Sequence, residues 1–238
     1  GRTAIFIKND IKLILRNKRS KMTLWISLMF LFYGLLFFTD SSGGLYDNPV
    51  WKIFAGIFVS GGFLFTFGQY VPSWDSAYYP LMMSQNIVYR EYLNAKWSMI
   101  TIATVFSTLL GTFYLFFGLD AYAAILTGAI YNIGINGYLV LLSGAYIKTP
   151  IDLTSTKKPF GDKQAFNAKT LLLTLPKLFL PMLLYFVGSL FGGEWAGYMT
   201  VACTGILGYF LKNKVFDLIE TLYKTEKYKT LNAYKQST

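Results

Sequence analysis

MTLWISLMFLFYGLLFFT, residues 22–39, is an unbroken apolar run that follows RTAIFIKNDIKLILRNKRSK, residues 2–21. A helix needs about 20 mostly apolar residues to cross the hydrocarbon core of a bilayer. The preceding segment holds seven Lys and Arg residues and one Asp. Because Lys and Arg are concentrated in the cytoplasmic flanks of membrane helices, these segments predict a membrane helix that starts on the cytoplasmic side.

The same apolar pattern recurs along the rest of the chain. Five further runs of spanning length lie at 50–70, 98–119, 121–146, 171–191 and 195–211. Of the 238 residues, 54% are hydrophobic and only 14% are charged, whereas soluble domains carry about 25% charged residues. The sequence therefore predicts an all-α membrane protein with one domain of six transmembrane helices at 22–214. An interfacial amphipathic helix at 1–21 precedes that domain, and a basic cytoplasmic tail at 215–238 follows it.

The connections between the runs predict the orientation, because basic and non-basic connections alternate. The connections at 40–49, near Asp120 and at 192–194 contain no Lys or Arg. Basic residues lie in the first 21 residues, at 71–97 (Arg90, Lys96), at 147–170 (Lys148, Lys157, Lys158, Lys163, Lys169) and in the tail. By the positive-inside rule, both termini and the two longer inner loops lie on the cytoplasmic side of a cell (inner) membrane.

The segment before the first run is predicted to lie in the cytoplasmic interface. Lys8, Lys12 and Arg16 recur every fourth residue and share one helical face, while isoleucines and a leucine line another. A short soluble helix that continues an upstream region is the alternative. Since the chain begins with Gly1, we expect it to be the later part of a longer protein, although a trimmed chain would look the same.

Several classes of protein are disfavoured by what the sequence lacks. There is no histidine, and Cys203 is the one cysteine, so neither a zinc site nor an internal disulfide can be assembled. No P-loop or catalytic signature is present. We therefore expect no enzyme activity, no catalytic residues, no cofactor and no metal. The net charge of +10 is spread between apolar runs, which favours lipid contact over nucleic-acid binding.

The inner loop at 71–97 is the candidate surface for a cytoplasmic partner. Pro80 suits a helix start, and the residues that follow combine an apolar face with few charges. The candidate contact residues are Leu81, Met82, Met83, Ile87, Arg90 and Glu91. A connector that packs only on its own membrane helices explains the pattern equally well.

Polar residues inside three of the runs are candidates for a substrate path or for helix packing. They are Thr101, Thr104 and Thr108 in the third run, Asn132 and Asn136 in the fourth, and Lys177 in the fifth. Small and amide side chains allow close helix approach and interhelical hydrogen bonds, so packing is the commoner explanation. We expect Lys177 to extend its ammonium towards the cytoplasmic interface.

Four stretches resemble a known group of membrane proteins. They are IKLILRNKRSKMTLWISLMFLFYGLLFF at 11–38, GIFVSGGFLFTFGQYVPSWDSAYYPLMMSQNI at 56–87, YNIGIN at 131–136 and EKYKTLNAYK at 226–235. They are similar to a Bacteroidota family of membrane proteins labelled as ABC transporter permeases, whose members are about twice as long. The order of parts also resembles type-2 ABC exporter permeases, in which a coupling helix joins the second and third spans.

The resemblance implies a permease subunit of an ABC-2-type exporter, driven by a separate cytoplasmic ATPase that contacts a coupling helix at about 80–93. It also implies a homodimer or a pairing with the upstream half of a longer chain. The turn at 192–194 departs from the pattern, because it is too short for the re-entrant helices that many such exporters hold there. A structural or assembly protein of an envelope or secretion complex, which needs no ATPase, is the alternative.

Overall fold

The computed structural model describes residues 2–39, 48–85, 87–153 and 168–235, and helices form most of these residues, with no strand among them. The predicted loops at 40–49 and 147–170 fall partly outside the described residues, at 40–47 and 154–167. The helices are Arg2–Arg16 (α1), Lys18–Tyr33 (α2), Leu35–Phe38 (α3), Pro49–Thr66 (α4), Tyr79–Ser84 (α5), Tyr89–Leu110 (α6), Leu119–Tyr131 (α7), Gly137–Tyr146 (α8), Ala168–Phe210 (α9) and Lys212–Lys235 (α10). A 3₁₀ segment, Gly111–Phe117, extends α6, and a π-helical segment, Asn132–Asn136, joins α7 to α8.

Five helical stretches of the described chain are long and apolar enough to cross a membrane. They are Lys18–Phe38, Pro49–Tyr70, Tyr89–Phe117, Leu119–Tyr146 and Leu172–Phe210. The first four coincide with the first four predicted runs. The fifth contains both of the remaining runs, so the predicted count of six depends on how this stretch is built.

The fifth stretch folds back on itself at two glycines. Gly193 has a φ of 73°, in the left-handed region that favours glycine, and neighbouring Gly192 also leaves the helical conformation. The rings of Tyr185 and Tyr198 are 5.1 Å apart, whereas 13 residues of continuous helix would separate them by about 20 Å. Thus α9 consists of two arms, 168–191 and 194–210, that pack against each other as a hairpin.

The centre of the bundle is formed by α4 and its contact with α7. Asn48 caps α4 by accepting a hydrogen bond from the backbone N–H of Val50 (3.0 Å), and Pro49 occupies the first turn. A Cβ added at Gly56 would lie 2.2 Å from the carbonyl oxygen of Ala124. Close backbone approach of this kind explains why small residues occur at the contact.

The basic connections meet at one end of the bundle, which we call the basic end. Ion pairs there join Asp10 with Lys96, Arg90 with Asp217, and Lys148 with Glu226. The backbone N–H of Ile151 also donates to the carbonyl of Ser73 (3.3 Å). The two terminal helices, α1 and α10, therefore lie at the same end as the connections 71–97 and 147–153.

The predicted tail at 215–238 is largely a packed helix. Phe216, Ile219 and Tyr223 of α10 are buried, and the Tyr223 hydroxyl donates to the carbonyl of Leu141 in α8 (2.9 Å). The apolar positions recur every three to four residues and form one face, while the lysines lie mainly on the outside. This segment is consequently part of the helical domain.

The inner helix predicted at about 80–93 is divided into two. The first part, α5, ends at Ser84, and the second, α6, starts at Tyr89 and continues without a break into the third apolar run. Val88, which precedes α6, is in an extended conformation that suits a β-branched residue. The connection is thus a short helix and a turn leading directly into a spanning helix.

Candidate functional site

A buried ionic cluster connects α1 to α6 at the basic end. The Lys96 ammonium donates to Asp10 Oδ1 at 2.5 Å and lies 2.7 Å from Asp75 Oδ2. The Tyr92 hydroxyl donates to the same oxygen of Asp75 at 2.7 Å. The exposed fraction of both Asp10 and Lys96 is 2%. We call Asp10, Asp75, Tyr92 and Lys96 the ionic cluster.

Three local structures bring these four residues together. Tyr92 and Lys96 are four residues apart on α6, so they share one face of that helix. Asp10 lies on the inner face of α1, which also buries Leu13 and Ile14. Asp75 ends a 3₁₀ turn, Ser73–Asp75, that follows the second long apolar helix. The cluster therefore fixes the N-terminal helix and the α4–α5 connection to the start of α6.

The cluster carries more negative than positive charge. With all groups ionised, two carboxylates and one ammonium leave a net charge of −1. Burial raises the pKa of Asp10 to about 6; the Lys96 ammonium opposes this shift, and the Asp75 carboxylate adds to it. Asp10 Oδ2 is buried and has no hydrogen-bond partner among the described residues. An unsatisfied buried charge is costly, so a cluster of this composition calls for a physical or functional explanation.

A cleft of about 650 Å³ lies directly against the ionic cluster. Its volume falls within the range of small-molecule binding pockets. The walls come from α1, α5, the turn around Tyr78 and the first turn of α6. Lining residues include Phe6, Asp10, Lys12, Arg16, Leu81, Met82, Ile87, Glu91 and Lys96. No group of three or more His, Cys, Asp or Glu residues that could hold a metal occurs in the described parts of the chain.

Four of the six predicted partner-contact residues line this cleft, and two do not. Leu81, with 57% of its surface exposed, lies at the cleft together with Met82, Ile87 and Glu91. Met83 is instead part of the core, where its sulfur accepts a hydrogen bond from the Tyr89 hydroxyl (3.0 Å). Only 9% of Met83 is exposed, so it is not accessible to a docking partner in this structure.

Arg90 has a different role from its neighbour Glu91. Its guanidinium donates to Asp217 Oδ1 (2.6 Å) and to Asn213 Oδ1 (3.0 Å), and it lies 5.3 Å from the centre of the Phe216 ring. All three partners belong to α10. Arg90 therefore fastens the C-terminal helix to α6.

A second buried polar group lies inside the bundle, at the π-helical segment. The side-chain amide of Asn132 donates to the carbonyl of Ile57 (2.9 Å) and to Ser60 Oγ (3.0 Å). The amide of Asn136 donates to Asn132 Oδ1 (2.8 Å) and to the carbonyl of Lys177 (3.1 Å). We call Ser60, Asn132 and Asn136 the amide cluster. It binds the fourth long helical stretch to α4 and to α9 through neutral hydrogen bonds.

The threonines predicted beside the amide pair are not joined to it by a hydrogen bond among the described residues. Thr104 and Thr108 are buried, and Thr108 Oγ1 donates to the backbone carbonyl of Thr104 (2.8 Å). The Thr101 and Thr104 hydroxyls have no partner within the described chain. The predicted stripe exists, but its part in a path remains a prediction.

The prediction that Lys177 reaches the interface is wrong. Only 1% of its surface is exposed, so its side chain is enclosed by protein. The Asn136 amide donates a hydrogen bond to the Lys177 backbone carbonyl, and the Lys177 ammonium forms no ion pair with the described residues. Packing of α9 against α7 and the π-helical segment places this turn of α9 inside the bundle.

The ionic cluster was not anticipated from the sequence. Asp10 is the one acidic residue among the first 39, set within a strongly basic helix, and Lys96 directly precedes an apolar run. Each looks like an ordinary interfacial charge. Two isolated charges of opposite sign at the edges of apolar helices are the signal that could have suggested a pair.

Together these observations define a class: an all-helical protein with five helical stretches long and apolar enough to cross a membrane, and with a cleft and an ionic cluster at one end. The chain belongs to the family described as a family of unknown function, DUF5687, whose model matches residues 1–237. No curated protein and no solved structure matches the chain.

Proposed function

We propose that this protein is the membrane-spanning permease subunit of an ABC-2-type exporter, energised by a separate cytoplasmic ATPase. In this proposal the chain crosses the inner membrane six times, with the basic end in the cytoplasm. Two observations support the six crossings. The fifth stretch consists of two antiparallel arms, and α1 and α10 lie at the same end, which requires an even number of crossings.

The observation that carries the proposal is the position of the cleft. Four of the six predicted partner-contact residues line it, together with the residues of the ionic cluster. Leu81 and Val88 expose 57% and 41% of their surfaces, and Ile5 on α1 exposes 58%. Exposed apolar side chains around a concave surface are typical of a protein-binding site. A cytoplasmic ATPase is the partner we assign to it.

The ionic cluster would transmit a movement at the cleft to α6, which continues into the membrane. Lys96 belongs to α6, which continues into the third apolar run, and it is bound to α1 and to the α4–α5 connection. Arg90 on the same helix is bound to α10. A displacement of α1 or α5 would therefore tilt α6 as a unit, because buried ion pairs resist separation. The resemblance to exporters further implies that the unit works as a pair, with a second copy or with an upstream half of a longer chain.

One observation favours the alternative, a structural or assembly protein without transport. The amide cluster, which we predicted as a candidate path, is closed by hydrogen bonds between helices. Under that alternative the cleft would still bind a partner, but no substrate would cross and no ATP would be consumed. Transport measurements therefore separate the two functions.

Leu81→Glu tests the proposal, because Leu81 lines the cleft and exposes 57% of its surface. The ATPase that co-purifies with the tagged protein is reconstituted with it in liposomes, and ATP hydrolysis is measured with and without the membrane subunit. We expect the wild-type chain to change the hydrolysis rate and Leu81→Glu to lose that effect while it keeps its thermal stability. Leu218→Glu, at an exposed position on α10, is the matched control and should behave as wild type. If no ATPase co-purifies, or if Leu81→Glu couples normally, the proposal fails.

A further inference from the structure

The Asp10 carboxyl has one satisfied oxygen and one unsatisfied oxygen. Oδ1 accepts from the Lys96 ammonium at 2.5 Å, whereas the buried Oδ2 has no partner among the described residues. The side chain is 3% exposed. Carboxylate oxygens that are buried in a folded protein normally accept hydrogen bonds, so Oδ2 requires either a donor or a proton of its own.

The charges around Asp10 favour a proton. Asp75 shares the Lys96 ammonium with Asp10 and also accepts a hydrogen bond from the Tyr92 hydroxyl, whereas the Lys96 ammonium is the one donor to Asp10 among the described residues. One proton on Asp10 would change the net charge of the ionic cluster from −1 to 0 and would leave the Lys96–Asp75 pair intact. Since Oδ2 is buried, a larger cation could not approach it without moving α1 or α6.

No other charged group near Asp10 neutralises its carboxylate in place of that proton. On α6, Glu91 adds a further negative charge at the cleft, and in the α4–α5 turn Tyr78 adds a phenol. On α2, the Arg19 guanidinium donates to the backbone carbonyl of Asp152 (3.1 Å). On α1 itself, the exposed Lys12 and Arg16 line the cleft. Within the described chain, Lys96 is the only cation that pairs with Asp10.

We propose that Asp10 is a proton-binding site, with the proton on Oδ2, and that binding of this proton fastens α1 to α6. The proton comes from the solvent and returns to it, and no other bond is made or broken. The inference rests on the ionic cluster alone and does not depend on the proposed transport function. It makes the attachment of the N-terminal helix sensitive to pH.

The direction of the pH dependence follows from the pKa of Asp10, which burial raises from 3.8 to about 6. Between these two values the folded protein binds more protons at this site than the unfolded chain does. The destabilisation from burying the ionised carboxylate is therefore complete above pH 6, and it is relieved as the pH falls from 6 towards 3.8. Acidification should accordingly tighten α1.

Infrared difference spectroscopy of the protein in lipid nanodiscs tests the site directly. Between about pH 8 and about pH 5 we expect the C=O stretching band of a protonated carboxyl to appear, with a midpoint near the pKa of Asp10. Asp10→Asn should lose this band, because its amide cannot titrate. Asp217→Asn is the control, since Asp217 forms an exposed ion pair, with 73% of its side chain accessible. The control should keep the band.

The pH dependence of thermal unfolding is a second test, and it does not require the spectra of variants to be compared. On acidification from about pH 7.5 to about pH 5.5, the wild-type unfolding midpoint should rise relative to that of Asp10→Asn by a few degrees. Asp10→Asn should fold, because its amide is uncharged and similar in shape to the protonated acid. The proposal is overturned if the wild type shows no titrating band, if the band persists in Asp10→Asn, or if the two midpoints change with pH in parallel.

Discussion

The ionic cluster and the amide cluster are both buried and both link helices that are distant in sequence, yet they differ in charge balance. The amide cluster is neutral, and its side-chain amides donate to oxygens on α4, on α9 and within the π-helical segment itself. The ionic cluster holds two carboxylates against one ammonium. Each cluster has one buried oxygen without a partner among the described residues, Asp10 Oδ2 and Asn136 Oδ1, but only that of Asp10 belongs to a group that can carry a charge. It also adjoins the cleft, whereas the amide cluster is enclosed by helices.

The difference indicates separate roles for the two clusters. Neutral interhelical hydrogen bonds stabilise a fixed arrangement of helices. Buried ion pairs contribute little net stability, but removing one partner leaves an uncompensated buried charge. We therefore interpret the amide cluster as packing and the ionic cluster as the part of the fold that responds to a partner or to pH.

The largest expected effect comes from Lys96→Met. It leaves two buried carboxylates without their cation, and breaking a buried ion pair in this way costs about 3–5 kcal/mol of folding free energy. The measurement is equilibrium unfolding in mixed micelles. Lys224→Met, which removes an exposed pair with Glu220, should cost less than about 1 kcal/mol. Equal losses of folding free energy in the two variants would show that the ionic cluster contributes no more stability than an exposed ion pair.

A smaller effect is expected from Gly134→Ala, which acts on the packing around the amide cluster. The added methyl group would lie 1.8 Å from the Gly205 carbonyl oxygen, so α9 would have to move away. Overpacking of this kind costs about 1–3 kcal/mol. Gly111→Ala is the control, since its nearest neighbour would be at 3.7 Å. Wild-type stability of Gly134→Ala would mean that the two segments are not in contact.

Asn132→Ala distinguishes packing from a path at the amide cluster. It removes the hydrogen bonds to Ile57 and Ser60 and the one from Asn136, and each of these should contribute about 0.6–1.7 kcal/mol. If the cluster serves packing alone, transport per folded molecule stays unchanged. A change in which substrates are transported, at unchanged stability, would assign Asn132 to the path instead.

The smallest effect is expected from Tyr92→Phe. It removes one donor to Asp75 while the Lys96 pair remains, so the cost is about 0.5–1.5 kcal/mol, measured by the same unfolding assay. The proton site on Asp10 should persist in this variant. A loss as large as that of Lys96→Met would mean that the phenol, and not the ammonium, holds the cluster together.

The sequence predicted the features that depend on local composition. The apolar runs, their lengths and the grouping of basic connections all follow from residue types within about 20 positions. The two-armed form of α9 was also predictable, because Gly192 and Gly193 separate two runs of spanning length. The sequence of α10 contains the periodic apolar pattern of its packed face, but the lysines in this segment suggested a cytoplasmic tail.

The candidate site was largely beyond the reach of sequence reasoning. Asp10 and Lys96 are 86 positions apart, and their pairing depends on how α1 packs against α6. Met83 and Met82 are neighbours with the same side chain, yet one is core and the other lines the cleft. Such distinctions depend on tertiary packing, which residue type and spacing alone do not determine.

Photocrosslinking in intact cells is the decisive test of the proposed docking of a cytoplasmic ATPase at the cleft. A photoreactive amino acid replaces Leu81 at the cleft or Leu218 on α10, two positions with 57% and 60% exposure. We predict that an ABC ATPase subunit is captured from position 81 and not from position 218. Capture of no ATPase at position 81, with efficient capture of another membrane or envelope protein there, would contradict the claim.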